Sequence, residues 1–246
     1  MQTSEFLKQK PEIKGFFDYR TFTISYVVWD KNSKNAAIID SVMDYEPNGG
    51  RIYYESADAI ISFIQDNQLK LEWILETHAH ADHLSASQYL KKNLGGKIGI
   101  GKQITAVQDL FSKVFDEDSN YKTDGTQFDH LFEDGDKFML GEIPVLIMYT
   151  PGHTPADYTF IFGDAVFPGD TIFMPDFGSA RCDFPNGSAE KLFQSVQKIF
   201  ALPEEMRMFM CHDYLPSGRE DFAWETTVGD QKKQNIHLKV GTAQST

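Results

Sequence analysis

The amino-acid sequence predicts an α+β fold in which two β-sheets pack face to face and helices cover their outer surfaces. Each half of the chain repeats one order of patterns, with β-rich runs first, then an amphipathic helix, then a further strand. The hydrophobic share of 41% is spread over many short runs, which is enough for a sizeable core. We therefore expect a single domain over residues 1–246, with its core at about residues 16–214 and a polar tail at the C-terminus.

The first half combines short β-rich runs with two helical patterns. The expected strands cover residues 22–29, 36–40, 73–75 and 97–100, and the turn-forming residues 30–35 make a hairpin of the first two. Residues 56–69 carry apolar side chains at helical spacing, with Ser56 as the expected N-cap. A second helix is expected from Leu84 to Leu94, where Gly95 and Gly96 would end it.

The second half is richer in strands. They are expected at residues 137–140, 145–149, 158–162, 165–167 and 206–210. One amphipathic helix is expected from Ser188 to Leu202. The aromatic residues of this half are expected in the core rather than around a substrate; they are Phe128, Phe132, Phe138, Phe160, Phe162 and Phe167.

Charge and targeting signals narrow the function classes. The net charge of −13 argues against nucleic acid and anionic membranes as partners, because both require basic patches. No apolar run approaches the roughly 20 residues of a membrane span, and residues 1–11 lack the apolar region of a secretory signal. With only two cysteines, Cys182 and Cys211, a disulfide framework is excluded, and we expect a cytoplasmic protein.

Four potential metal ligands each follow the end of an expected strand. They are His78, His153, Asp170 and His212. If these strands share an edge of their sheets, the loops that leave it bring the four side chains together. His153 lies in Pro151-Gly152-His153-Thr154-Pro155, a rigid turn that would fix its position.

The densest group of potential ligands is the segment His78-Ala79-His80-Ala81-Asp82-His83. It places four coordinating side chains within six residues, separated by alanines that leave room for an ion. Imidazole and carboxylate ligands together suit zinc, iron or manganese, and the absence of a thiolate argues against a structural zinc site. This segment therefore predicts a catalytic metal centre.

These motifs resemble those of a known family. Thr77 to His83, then Pro151 to Pro155, then Gly169-Asp170, then Cys211 to Tyr214 are similar, in this order, to the metal motifs of the metallo-β-lactamase superfamily. The resemblance covers residues 22–214 and implies an αββα sandwich with the metal site at one edge between the sheets. Ala180-Arg181-Cys182-Asp183-Phe184, in addition, resembles persulfide dioxygenases and the bacterial β-lactamase-like hydrolases that group with them.

The resemblance to persulfide dioxygenases implies a mononuclear Fe(II) enzyme that oxidises glutathione persulfide with O₂ to sulfite and glutathione. His78, His153 and Asp170 would be its iron ligands, while His80, Asp82, His83 and His212 would orient them. Arg181 would hold a glutathione carboxylate, and Tyr214 would donate a hydrogen bond to the same molecule. The catalytic groups beside the ligands would thus be Asp82, His83, His212 and Tyr214.

Two other interpretations stay open. Glyoxalase II has similar metal motifs, and this resemblance implies a hydrolase of glutathione thioesters in which all seven ligands bind two zinc ions that share Asp170. That family also binds glutathione through a C-terminal helical region, whereas this sequence ends in the polar stretch Gly241 to Thr246. The second alternative is a non-catalytic scaffold whose metal only stabilises the fold.

Four further residues are assigned ordinary roles. Cys211 is expected to point into the core, and Cys182 to lie in a loop without acting as a nucleophile. His130 and His237 lie outside the motifs and are expected to be surface or structural histidines. A small thiol-derived substrate is the expected partner, and a homodimer is a second one that the sequence allows.

Overall fold

Fifteen strands and five α-helices form the part of the chain described by the computed structural model, residues 8–117 and 120–238. The strands are β1 (Glu12–Asp18), β2 (Thr23–Trp29), β3 (Asn35–Ile39), β4 (Val42–Glu46), β5 (Arg51–Tyr53), β6 (Lys70–Glu76), β7 (Leu84–Ser85), β8 (Lys97–Gly101), β9 (His130–Phe132), β10 (Lys137–Leu140), β11 (Ile143–Tyr149), β12 (Tyr158–Phe162), β13 (Ala165–Phe167), β14 (Arg207–Phe209) and β15 (Glu225–Thr227). The helices are α1 (Glu55–Asp66), α2 (Ser87–Leu94), α3 (Ile104–Val114), α4 (Ala189–Phe200) and α5 (Val228–Gln234). The predicted tail at 241–246 lies outside the described residues.

Two six-stranded sheets carry the fold. The first has the strand order β1-β2-β3-β6-β8-β9 and the second β10-β11-β12-β13-β14-β15. In the first sheet β3, β6, β8 and β9 are parallel neighbours, and in the second β13 and β14 are parallel. A small third sheet of β5, β4 and β7 lies beside them.

The two sheets pack face to face because their strands alternate between inner and outer positions. In β12, Phe160 belongs to the core between the sheets, while Ile161 belongs to the cluster that includes Val196 of α4. In β2, Tyr26 faces the same inner core, whereas Val27 joins the helix-covered cluster that also contains residues of α1 and α2. Helices therefore cover both outer faces, and the predicted αββα sandwich is confirmed.

Most of the predicted elements are present with small shifts at their ends. The hairpin of β2 and β3 and the strands of the second half are confirmed. The helix predicted from Ser188 is also confirmed, since the Ser188 hydroxyl accepts a hydrogen bond from Lys191 N at 3.3 Å as its N-cap. Phe160, Phe162, Phe167 and Phe132 are buried as expected.

Two predictions about the first half were wrong. Ser56 is not the N-cap of α1, which begins at Glu55, because the buried carboxylate of Asp44 accepts hydrogen bonds from both the backbone N and the hydroxyl of Ser56. The helix predicted from Leu84 begins only at Ser87, because Leu84 and Ser85 pair with β4 as the short strand β7.

Candidate metal centre

Strand ends from both sheets meet at the edge where the candidate ligands lie. In the first sheet β3 and β6 are parallel, so the residues after them, Asp40 and His78, leave on the same side. In the second sheet β11, β13 and β14 share one direction. The loops after these three strands carry His153, Asp170 and His212.

Main-chain hydrogen bonds join the two sheets at this edge. Tyr158 N donates to Thr77 O at 2.9 Å, and Ile24 N donates to Cys211 O at 2.7 Å. The residues that follow Thr77 and Cys211 in sequence are His78 and His212. Backbone pairing between the sheets thus brings the histidines of separate motifs to one place.

One group of side chains consists of His78, His153 and Asp170. Its three ligand atoms all lie within 4.8 Å of one another. The Nε2 atoms of His78 and His153 are 3.8 and 3.7 Å from the same oxygen, Asp170 Oδ2. Ligands bound at about 2.1 Å to one ion lie roughly 3 to 3.5 Å apart, so a small adjustment would let these three share a metal ion.

A second group faces the other oxygen of Asp170. His212 Nε2 is 3.4 Å from Asp170 Oδ1 and 3.6 Å from Asp82 Oδ2. His80, Asp82 and His83 likewise bring their ligand atoms within 4.8 Å of one another. The two oxygens of Asp170 therefore point towards different groups, as they would in a carboxylate that bridges two ions.

Unpartnered polar atoms provide a test of whether a metal fits. Four of the buried side-chain atoms that lack a hydrogen-bond partner belong to the candidate ligands: His80 Nδ1, His83 Nε2, Asp170 Oδ1 and His212 Nε2. Each buried atom without a partner costs about 1–3 kcal/mol, so their concentration in one place needs an explanation. Metal coordination would satisfy them, and the residues thus fit a metal centre.

Hydrogen bonds on the far side of the rings orient two of the histidines. His153 Nδ1 donates to Arg181 O at 2.8 Å, and His83 Nδ1 donates to Leu84 O at 3.1 Å. A carbonyl only accepts hydrogen bonds, so it selects the form in which Nδ1 carries the proton. The Nε2 lone pair of each ring is then free for a metal.

Burial favours the neutral histidines that a metal requires. Burial and the neighbouring His80 lower the pKa of His78 to about 3, and burial together with His83 lowers the pKa of His80. Burial acts to raise the pKa of Asp170, but the neighbouring His212 and His78 outweigh it and the net pKa lies below the usual value. His78 and His80 are therefore held in the neutral form that metal binding requires.

Two buried carboxylates behind His80 were missed by the sequence reasoning. Asp40 Oδ1 lies 3.1 Å from His80 Nε2, and Asp40 also accepts hydrogen bonds from the N and Oγ1 of Thr77 at 2.7 and 2.9 Å. Glu76 is 3% exposed, with Oε2 3.6 Å from His80 Nε2 and Oε1 accepting from Ser85 Oγ at 2.5 Å. Burial raises the pKa of both carboxyls. Asp40 directly follows the apolar end of β3, the same signal that identified His78.

A cavity of about 500 Å³ opens in front of the first group. Its wall consists of Ala81, Asp82, His153, Asp170, Phe173, Phe177, Ser179, Ala180, Arg181, Phe184 and Tyr214. The Tyr214 ring stacks on His212 with centroids 5.4 Å apart. Arg181 is exposed, and its Nε is 3.3 Å from Asp183 Oδ1. The cavity thus combines aromatic walls with one cationic side chain beside the candidate ligands.

Cys182, His130 and His237 lie outside the two ligand groups as predicted, with Cys182 in a loop. Cys211 is buried as predicted, but its Sγ lies 3.6 Å from Asp40 Oδ2 and within 4.8 Å of ligand atoms of His80 and His212, so the thiol borders the metal centre. His130 is on β9, and His237 Nδ1 accepts a hydrogen bond from Ser179 N at 3.2 Å. All seven predicted ligands, in contrast, lie in the two groups around Asp170.

Sequence comparison identifies the family. The profile of the metallo-beta-lactamase superfamily matches residues 19–212. The chain belongs to this superfamily. Superfamily members are metal-dependent enzymes, in agreement with the ligand groups around Asp170. Among the described residues, no helix has the length and hydropathy needed to cross a membrane.

Several members of the metallo-beta-lactamase superfamily are similar over most of this chain. A beta-lactamase hydrolase-like protein of Xylella fastidiosa is 50% identical over 230 residues, 94% of this chain and 53% of that protein. Glyoxylase B2 of Dictyostelium discoideum is 45% identical over 235 residues, 95% of this chain and 80% of that protein. The mitochondrial persulfide dioxygenase ETHE1 of Homo sapiens is 30% identical over 205 residues, 82% of this chain and 68% of that protein. This chain thus spans about half the length of the Xylella relative.

One solved structure of the superfamily extends the comparison to three dimensions. The crystal structure of ETHE1 from Myxococcus xanthus matches with a TM-score of 0.70 and 26% sequence identity. The match covers 92% of this chain and 83% of that one. The sheets and helices described above are therefore those of the superfamily.

Proposed function

We propose that this protein is a persulfide dioxygenase, which converts glutathione persulfide, O₂ and water into glutathione and sulfite at one iron ion. The observation that carries the proposal is the group His78, His153 and Asp170, two members of which, His153 and Asp170, line a cavity of about 500 Å³. Two histidines and one carboxylate on one face are typical of non-haem iron oxygenases, because they leave adjacent positions open. An iron ion bound there would supply the one-electron chemistry that O₂ requires.

The side chains of the cavity would bind and orient the thiol substrate. The Arg181 guanidinium would pair with a carboxylate of glutathione, and an acidic protein needs such a cation to hold an anion. Tyr214 would donate a hydrogen bond to the peptide part. Burial raises the pKa of this phenol far above neutrality, so it would act as a donor throughout the physiological range. Aromatic walls would exclude water from the sulfur.

The roles of the remaining ligands follow from the contacts behind them. His80 would be held by Asp40, and His83 by Leu84 O, so that their rings keep fixed directions. Asp82 and His212, which lie 3.6 Å apart, would form the side of the site at Asp170 Oδ1. In the persulfide reaction both atoms of O₂ end on the outer sulfur, and water then cleaves the bond between the two sulfurs to release the thiol.

A second candidate function is a dinuclear zinc hydrolase of glutathione thioesters. It is favoured by the two oxygens of Asp170, which face different ligand groups at 3.4 to 3.8 Å, and by the likeness to glyoxylase B2. All seven ligands would then hold two ions, which would supply a nucleophilic hydroxide. The cavity and Arg181 would bind the glutathione part of the thioester, as proposed for the persulfide.

Purified protein reconstituted anaerobically with Fe(II), and separately with Zn(II), would distinguish these functions. We expect O₂ consumption and sulfite release from glutathione persulfide by the iron form, with about one iron per chain. Asp170→Ala should lose both metal and activity, whereas His130→Ala, which removes an exposed histidine outside the site, should keep both. Activity of a two-zinc form on glutathione thioesters, without persulfide oxidation, would support the hydrolase. Full metal loading without turnover of either substrate would support the scaffold.

A further inference from the structure

One side of the cavity is a wall segment, residues 173–181, which has little regular structure of its own. It contributes Phe173, Phe177, Ser179, Ala180 and Arg181 to the cavity. Its strand-like pairing is limited, among the described residues, to the single bridge between Ile172 and Ser179. Backbone hydrogen bonds from Phe173 N to Gly178 O and from Gly178 N to Met174 O close a turn within the segment, and contacts from elsewhere in the chain fix the position of this turn.

Buried amide side chains from α5 and the residue after it bind the wall segment at Phe173 and at Gly178. Gln231 Nε2, on α5, donates to Phe173 O at 2.9 Å. Asn235 Nδ2, directly after α5, donates to Gly178 O at 3.0 Å. Both amides are 0% exposed. Their hydrogen bonds lie out of reach of water and so constrain the wall segment more than surface contacts would.

The residues after α5 also contact the wall segment, through a main-chain hydrogen bond and through the ring of His237. Ile236 N donates to Pro175 O at 2.9 Å. The His237 ring occupies the space where a side chain at position 178 would lie, 2.2 Å from the expected Cβ. Position 178 is a glycine with a φ of +105°, so the chain allows this close approach.

Asn235 is the centre of these contacts because its amide uses its full hydrogen-bonding capacity. Its Nδ2 donates to Gly178 O and, at 2.7 Å, to Gln231 Oε1. Its Oδ1 accepts from the backbone N of His237 and of Leu238 at 3.0 and 3.1 Å. Two donor and two acceptor positions are all that an asparagine side chain offers. No smaller or purely apolar side chain could replace it.

We propose that Asn235 is a positioning residue for the substrate cavity. It fixes the wall segment in the position in which the segment contacts the thiol part of the substrate. The proposal rests on the function proposed above for this cavity. The rings that Asn235 would position lie close to the site: Phe177 is 5.1 Å from the Tyr214 ring, and Phe173 is 6.0 Å from the His212 ring. None of the seven candidate ligands belongs to the wall segment, although Arg181 O, at its end, accepts a hydrogen bond from His153 Nδ1. Asn235 binds the segment at Gly178, three residues before Arg181, so its loss should weaken substrate binding more than it lowers the iron content.

Asn235→Asp tests the proposal with a nearly isosteric change that removes the donors and keeps the acceptors. We expect the KM for glutathione persulfide to rise roughly 10-fold, with kcat and iron content within about 2-fold of wild type. Gln108→Glu is the matched control, because Gln108 is also a buried amide, with its hydrogen bonds to Gln127 and Gly125 instead of the wall segment. Its KM should stay at the wild-type value even if its stability falls.

Asn235→Ala repeats the test without a new buried charge, in case the aspartate variant does not fold. An unchanged KM in the folded variants, or a fall of kcat and iron content with KM unchanged, would overturn the proposal. Hydrogen exchange of the amides at 173–181 provides a measurement that needs no substrate. Faster exchange there, with no such change in Gln108→Glu, supports the role of Asn235 even if persulfide is not turned over, and unchanged exchange refutes it.

Discussion

Asp82 is the side chain that best separates a one-metal from a two-metal centre. Its Oδ2 lies 3.6 Å from His212 Nε2 and 3.3 Å from Thr23 Oγ1. It does not belong to the group His78, His153 and Asp170, which would bind a single iron. In a two-zinc centre Asp82 would be the second ion's own carboxylate ligand. Asp82→Ala is therefore expected to lower the metal count of a two-zinc centre and to leave that of a one-iron centre unchanged.

The size of the effect follows from the position of Asp82. With one iron, Asp82 acts through His212, and such indirect losses are about 10- to 100-fold in affinity. A binding free energy of about 12 kcal/mol corresponds to a Kd of about 1 nM, which a 100-fold loss raises to about 0.1 µM. Protein at roughly 50 µM would then keep its ion. With two zinc ions, the second would retain only His83, His212 and one oxygen of Asp170.

Elemental analysis of reconstituted and desalted protein measures this directly. We expect about one ion per chain in both wild type and Asp82→Ala, for the iron-loaded protein. Asp109→Ala is a suitable control, because this exposed aspartate pairs with Lys113 on α3 instead of facing the site. A fall from about two ions to about one in Asp82→Ala, with Asp109→Ala unchanged, would refute the assignment of a single iron.

Three further predictions concern the cavity, the ligands and the fold. Arg181→Ala should raise KM for glutathione persulfide about 5- to 10-fold with little change in kcat, as steady-state kinetics can measure, because the lost contact is remote from the sulfur. Glu76→Gln should weaken metal binding about 10-fold in a chelator competition, because Glu76 supports His80 from behind. Gly152→Ala should destabilise the protein by about 2 to 4 kcal/mol in urea unfolding, because its new Cβ would lie 2.4 Å from the α4 backbone at a φ of +154°. Gly135→Ala, with a φ of +85° and open space, should cost only about 1 kcal/mol.

The sequence was most informative where local pattern and tertiary role coincide. A buried strand followed by a polar residue identified His78, His153, Asp170 and His212, and all four meet at one edge of the sheets. The run of aromatic and β-branched residues at 158–162 likewise predicted β12 with its observed bounds. Local pattern works here because each of these strands carries a buried apolar run and each ligand follows the end of one.

Elements without a local signal were missed. The helix α3 begins after Gln103 without a side-chain cap and without an acidic residue in its first turn. The strand β1 contains Gly15, and glycine is unfavourable in a strand. A glycine is needed there because the Trp224 ring fills the space where a Cβ would lie. Glu76 supports His80 through a contact that no local pattern encodes. These features depend on residues distant in sequence, so single-sequence reasoning could not find them.

The unpartnered buried atoms limit the number of metal ions that the centre can hold. With a single ion bound by His78, His153 and Asp170, the atoms His80 Nδ1, His83 Nε2 and His212 Nε2 would remain buried without a partner. Each unpartnered atom would lower the free energy of unfolding by about 1–3 kcal/mol, which is a large loss for a stable protein. A single-iron centre therefore requires ordered water among His80, Asp82, His83 and His212, where polar partners are close enough to hold it. The same position would hold the second ion of a dinuclear hydrolase, so its occupant, water or metal, separates the two proposed functions.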